Sequence, residues 1–212
     1  MKILAISDVP SKLLWDESVR KRLEGIDLIL SCGDLPKKYL EYLTNFTTAP
    51  ILYVHGNHDG SYKESEPGGC ICVDDAVYVW KGLRIMGLGG CNRYNRDDTF
   101  QYTEAEMRWR TRKLWLAARR AGGIDIPADP CPGIRPQRRH RQGPQGVSRC
   151  STIDGPVSAQ VVHPRHMHLN YGANLPRVCT RGGTTVINAT ERYEFEIPDP
   201  VQVPKRKLFG WG

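Results

Sequence analysis

The chain has 212 residues, 40% of them apolar and 25% charged, with 30 basic against 23 acidic residues and a formal net charge of +7. This length suits one domain, or one domain with a short tail, and the apolar share excludes disorder throughout. No apolar run approaches the roughly 18 residues of a membrane helix, and the run Met1–Asp8 is too short for a signal peptide, so the expectation is a cytoplasmic chain without a membrane.

Residues 2–7 form a short apolar run closed by Asp8, which suits a buried strand with a polar residue at its carboxyl end. Leu13, Leu14, Val19 and Leu23 recur among charges and predict a surface helix over 11–24, ending near Gly25. A second strand is predicted at 26–31, followed by Cys32-Gly33-Asp34, then a helix over 37–46. A third strand, 50–55, runs into Gly56-Asn57-His58-Asp59-Gly60. Three strands alternating with helices predict an α/β sheet, parallel in this half, with ligands beyond the carboxyl ends of its strands.

After a polar loop at 60–69, the runs 71–74, 77–80 and 83–88 are too closely spaced for helical crossovers and predict antiparallel strands. Gly87-Leu88-Gly89-Gly90 lacks the Lys-Ser/Thr of a phosphate loop and reads as a tight turn. Thr103-Glu104-Ala105-Glu106 is a capping box that opens a helix to about Arg120, with Gly122 as its stop. A strand starts at 124–126, residues 184–188 and 192–197 read as a terminal hairpin, and 198–212 as a flexible basic tail. Seven cysteines, an odd number, are read as reduced, and Cys70-x-Cys72 as part of a strand rather than a metal site.

The residues suited to chemistry are Asp8, Gly33-Asp34, Gly56-Asn57-His58-Asp59 and His166-Met167-His168. Carboxylate, amide oxygen and imidazole are the donors that hard or borderline divalent metals take. A carboxylate can bridge two such metals about 4 Å apart. Glycines beside Asp34 and Asn57 would let the backbone turn sharply at the strand ends.

In this order the set resembles the calcineurin-like metallophosphoesterases, with their Asp-x-His, Gly-Asp, Gly-Asn-His-Asp/Glu, lone His and Gly-His-x-His. The resemblance runs from residue 1 to about 126 and again from 166 to 197. It implies an α/β (α+β) fold, a β-sandwich flanked by helices, over a domain spanning 1–197. It also implies a phosphoesterase that hydrolyses phosphate mono- or diesters with two divalent metal ions (Mn, Fe, Zn or Mg). Asp8 would ligate one metal, Asp34 bridge both and Asn57 ligate the second, with one further ligand each from His166 and His168. His58 would protonate the leaving oxygen or stabilise the phosphoryl oxygens, with Asp59 orienting it. Three departures stand out. Pro10 replaces the His of the first motif, Arg165 replaces the Gly of the last, and no lone His follows the strand at 124–126.

Residues 127–165 differ in composition from everything around them. They hold six arginines against two aspartates, which is +4 of the +7, and 7 of the 15 prolines, but no Leu, Phe, Tyr, Trp or Met. Such a segment is expected to be disordered and unable to bury a strand and a helix. Back-translated and read one base later, 127–132 permits Leu-Leu-Thr-His-Ala-Pro. The same shift at 163–165 permits Thr-His-Gly just before His166-Met167-His168. Both ends recover an expected motif, which points to two compensating frame changes near residues 126 and 165. This chain is then expected to be impaired. The alternatives are a non-catalytic scaffold of the same fold, or binding of RNA or another acidic partner through 135–149. The absence of interleaved aromatic residues argues against base stacking there.

Overall fold

The computed structural model describes residues 1–94, 99–129, 160–163, 177–181 and 184–199. The first half runs β1 (Lys2–Ile6), a 3-10 turn at Lys12–Leu14, α1 (Val19–Arg22), β2 (Leu28–Ser31), α2 (Lys37–Thr44), β3 (Ile51–Tyr53), a 3-10 turn at Gly60–Lys63 and β4 (Cys70–Cys72). Then come β5 (Ala76–Trp80), β6 (Leu83–Gly87), β7 (Cys91–Asn92), β8 (Gln101–Tyr102), α3 (Glu104–Arg120) and β9 (Ile126–Ala128). The last described strands are β10 (Gln160–His163), β11 (Val178–Arg181), β12 (Thr184–Asn188) and β13 (Tyr193–Glu196).

One sheet has the order β13-β1-β2-β3-β4, the other β11-β12-β10-β9-β6-β5, and β7 pairs with β8 alone. β1 to β4 are parallel neighbours, and β13 closes the edge antiparallel to β1. Alternation explains the layering, because successive residues of a strand face opposite sides. Ile3, Ala5, Leu28, Leu30, Leu52 and Val54 share one core cluster with Leu83, Ile85, Ile126 and Ala128 of the other sheet. Leu4, Ile6, Ile29, Ile51 and Tyr53 face the other way and are covered by Leu14, Val19, Tyr39, Leu40 and Leu43. On the far side of the second sheet, Met86 and Leu88 pack against Met107, Leu114 and Ala118 of α3. The fold is mixed α/β, and the parallel strands of the first sheet send their carboxyl ends to a common edge.

α3 begins where its cap predicts. The Glu106 amide donates to the Thr103 hydroxyl oxygen at 3.3 Å, and the Thr103 amide donates to Glu106 Oε2 at 2.6 Å. The 11–24 helix does not form as one piece. Asp16 accepts from the Ser18 amide at 2.8 Å, a local bond that competes with helix continuation and leaves only α1 beyond it. β4 is parallel to β3 rather than antiparallel to β5, so the three close runs divide between two sheets. The expected terminal hairpin is also replaced. β12 lies between β10 and β11 in one sheet, and β13 joins β1 in the other. The chain crosses between sheets at Ala189–Arg192, where Ser7 and Thr190 make an isolated bridge.

Within 127–165, Pro127–Ala128 lie in β9 and Gln160–His163 in β10, which pair through Val162 and Ala128. Those residues are therefore strand, and 130–159 and 164–165 lie outside the described residues. The basic stretch 135–149 and the tail from 200 lie outside the described residues. No helix among the described residues is long and apolar enough to cross a membrane.

Candidate metal centre

β1, β2 and β3 are adjacent and parallel, so Asp8, Asp34 and Asn57 follow three neighbouring strand ends. Asp8 and Asp34 both adopt left-handed backbone, with φ of 62° and 59°. Asp tolerates this region better than most residues, yet it still costs on the order of 1 kcal/mol. The Asp8 amide donates to the Gly33 carbonyl at 3.2 Å, which draws the first turn against the second. The Ser7 hydroxyl donates to Asp8 Oδ2 at 2.7 Å, and the Thr190 hydroxyl reaches the same oxygen at 3.5 Å.

Asp34 is tied to the third turn from two directions. The His58 amide donates to Asp34 Oδ1 at 2.8 Å. The Asp34 amide in turn donates to Asp59 Oδ2 at 2.9 Å, and the Gly56 amide donates to that same oxygen at 2.7 Å. Asp59 thus clasps the backbone of two turns, whereas the resemblance gives it the task of orienting His58. It is 3% exposed. Burial pushes its carboxyl up to about 7, helped by the nearby Asp34 charge and opposed by the two amide bonds and by His55.

The glycines of these turns serve different ends. Gly33 has a φ of 92° and supplies the sharp turn expected of it. Gly56 is there for space, because a Cβ on it would lie 2.1 Å from Asp34 Oδ1. Asn57 donates from Nδ2 to the Tyr94 hydroxyl at 3.1 Å, which orients its amide. His58 is exposed. His166 and His168 lie outside the described residues.

Two further groups at this edge carry no sequence signal of their own. Asp129 follows β9 directly and is 2% exposed. It lies near both turns, since burial, then Asp8 and Asp129 together, raise the Cys32 thiol. Burial, then Asp34 and Asp129, push Cys91 up to about 12. The lone His expected after this strand is thus replaced by a buried carboxylate.

The second group is His55, Cys72 and Asp74, whose donor atoms all lie within 4.8 Å of one another. His55 Nδ1 is 2.8 Å from Asp74 Oδ2 and 4.0 Å from Cys72 Sγ. Burial disfavours the charged imidazole, but the bonds and charges of Asp74 and Cys72 outweigh it and raise His55 to about 9. The ring stacks on Phe100 at 4.1 Å.

The donor chemistry of Asp8, Asp34 and Asn57 fits hard or borderline divalent ions. It offers carboxylate and amide oxygen on turns whose backbone is held by Asp59 and by the missing Cβ of Gly56. The sequence model of the calcineurin-like phosphoesterase superfamily domain matches residues 1–118, which takes in all of β1 to β8 and most of α3. Comparison with curated protein sequences gives no match.

Proposed function

The chain belongs to the calcineurin-like phosphoesterase superfamily, and from that premise we propose that its fold is built to hydrolyse phosphate mono- or diesters at a centre formed by Asp8, Asp34, Asn57, His166 and His168. The observation that carries this reading is the convergence of Asp8, Asp34 and Asn57 on three adjacent parallel strand ends, with two of them in left-handed backbone. Two divalent cations held there would neutralise phosphoryl charge and acidify an attacking water.

In this reading Asp34 would be shared between the two ions, Asp8 and Asn57 would each hold one of them, and His166 and His168 would each add a nitrogen. His58 stands exposed beside Asp34, where it can give a proton to the leaving oxygen. Asp59 acts through the backbone, fixing the turn that carries His58 and the carboxylate of Asp34. The metals are Mn, Fe, Zn or Mg, and the substrate is a phosphate ester rather than a nucleic acid chosen by sequence.

This chain carries that site in impaired form, because residues 127–165 read as the product of two compensating frame changes. The codon arithmetic at both ends supports this, and the family match stops before the segment, at residue 118. Sequencing the gene over this window tests it directly, and an intact frame encoding 127–165 would refute a misread gene. The functional test is hydrolysis of p-nitrophenyl phosphate and its bis ester with added manganese. The frame-restored chain should turn over and this chain should be weak or inactive. Full activity of this chain would refute the impairment. No activity and no bound metal in the restored chain would leave the scaffold alternative standing.

A further inference from the structure

Beside the oxygen-rich turns lies a second donor set of different chemistry. We propose that His55, Cys72 and Asp74 form a separate mononuclear site for a borderline-soft divalent cation such as zinc, with Cys72 as its thiolate ligand. None of these three residues belongs to the set Asp8, Asp34 and Asn57, so the inference stands whether or not the chain hydrolyses an ester.

The three donors come from neighbouring places in one sheet. His55 lies just past β3, Cys72 ends β4, and Asp74 lies two residues on, with Tyr53 and Cys72 directly paired in register. Zinc bonds of about 2.0–2.3 Å in tetrahedral geometry set nitrogen, oxygen and sulfur donors roughly 3.3–3.6 Å apart. The observed 2.8 and 4.0 Å lie on either side of that range. The third pair, Cys72 and Asp74, lies within 4.8 Å, so movements of up to about 1 Å, with the His55–Asp74 proton displaced, would bring all three onto one ion.

The site is also held from outside. The Gly90 amide donates to the His55 carbonyl at 2.6 Å. A Cβ on Gly89 would fall 2.2 Å from Asp74 Oδ1, so that glycine leaves the room the carboxylate occupies. Phe100 covers one face of the imidazole at 4.1 Å.

A second, independent observation concerns Tyr53. This residue is 1% exposed, and its hydroxyl makes no well-formed hydrogen bond among the described residues, only the weak one that the neighbouring Cys72 thiol can offer. It lies close enough to Cys72 that the thiol adds to burial in raising its titration. A buried hydroxyl left with only a weak thiol partner is costly. A metal-held thiolate beside it would accept that proton, in the way outer groups around a metal orient and tune its ligands. The thiol proton is released to solvent when the ion binds.

Cobalt(II) added to the metal-stripped full-length protein reports directly on sulfur ligation, through a sulfur-to-cobalt charge-transfer band in the near ultraviolet. The band is expected in the unaltered chain and in Cys70→Ser, and absent in Cys72→Ser with its thermal unfolding otherwise preserved. Asp34→Asn should keep the band, because the oxygen set is not involved. Tyr53→Phe should weaken zinc retention about tenfold against a chelator. No band in the unaltered chain, or a band that survives Cys72→Ser, would overturn the site. A band lost in Asp34→Asn would overturn its independence.

Discussion

Two donor clusters sit at one edge of the same parallel sheet; each has a backbone amide on a carboxylate and a glycine that leaves it room, and they differ in donor chemistry and in what covers them. Asp8, Asp34 and Asn57 are held by backbone, through left-handed turns, amides bonded to carboxylates and a glycine that leaves room for Asp34. His55, Cys72 and Asp74 are held by side-chain contacts, in an ion pair covered by Phe100 and closed by the Gly89–Gly90 turn. The first set is all oxygen, while the second mixes nitrogen, sulfur and oxygen. Parallel strands deliver both to one edge, but two of the hard donors sit on left-handed turns, whereas the softer set adds an imidazole–carboxylate ion pair under an aromatic ring.

Variants can break this comparison at either side. The largest effect is expected at Asp34. In the frame-restored chain Asp34→Asn should lower turnover by about a thousandfold, roughly 4 kcal/mol of barrier. Unchanged hydrolysis of p-nitrophenyl phosphate would remove the bridging role.

Next come the two glycines that make space. Gly56→Ala should displace the Asp34 carboxylate, and Gly89→Ala that of Asp74, each at a cost of about 1–3 kcal/mol in urea unfolding. Gly56→Ala should impair manganese binding and leave the cobalt–sulfur band intact, and Gly89→Ala should do the reverse. Equal damage to both readouts from either variant would merge the two clusters into one unit.

Asp59 gives a smaller effect, read through pH. Its folded carboxyl titrates near 7, above the usual carboxylate value of 3.8, so the folded metal-free chain binds that proton more tightly than the unfolded chain. Its contribution is therefore greatest below pH 4 and is lost as pH rises towards 7, at up to about 1.4 kcal/mol per unit. Asp59→Asn should flatten this slope in urea titrations with EDTA. A slope as steep as that of the unaltered chain would assign it to another group. The smallest effect is expected from Cys72→Ser, within about 1 kcal/mol of stability without metal, which differential scanning calorimetry with EDTA would check.

The sequence legibly carried whatever depends on short-range pattern. Short apolar runs at 2–7, 26–31 and 50–55 predict the first three strands, and Thr103 with Glu106 predicts the start of α3. Asp8, Asp34 and Asn57 stood out because each follows an apolar run. Partnering was not legible. β4 was read as antiparallel, yet it continues the parallel sheet, and β12 and β13 were read as one hairpin, yet they lie in different sheets. Spacing alone does not record which sheet a strand joins, because any edge with unpaired backbone groups can accept it.

His55, Cys72 and Asp74 show the same limit. Read singly, they are a histidine at a strand end, a cysteine in a strand and an aspartate in a turn. Only the pairing of β3 with β4, and the return of the chain at Gly89, brings their side chains together. By itself the sequence determined which residues turn at strand ends and which oxygen donors those turns carry, because both are set within a few bonds of backbone. The tertiary structure decided the reason for Gly56, the clasp made by Asp59, the buried carboxylate of Asp129 and the mixed cluster around Cys72. Each of these depends on at least one contact between segments 17 or more residues apart in the chain, and local chemistry does not encode such an approach.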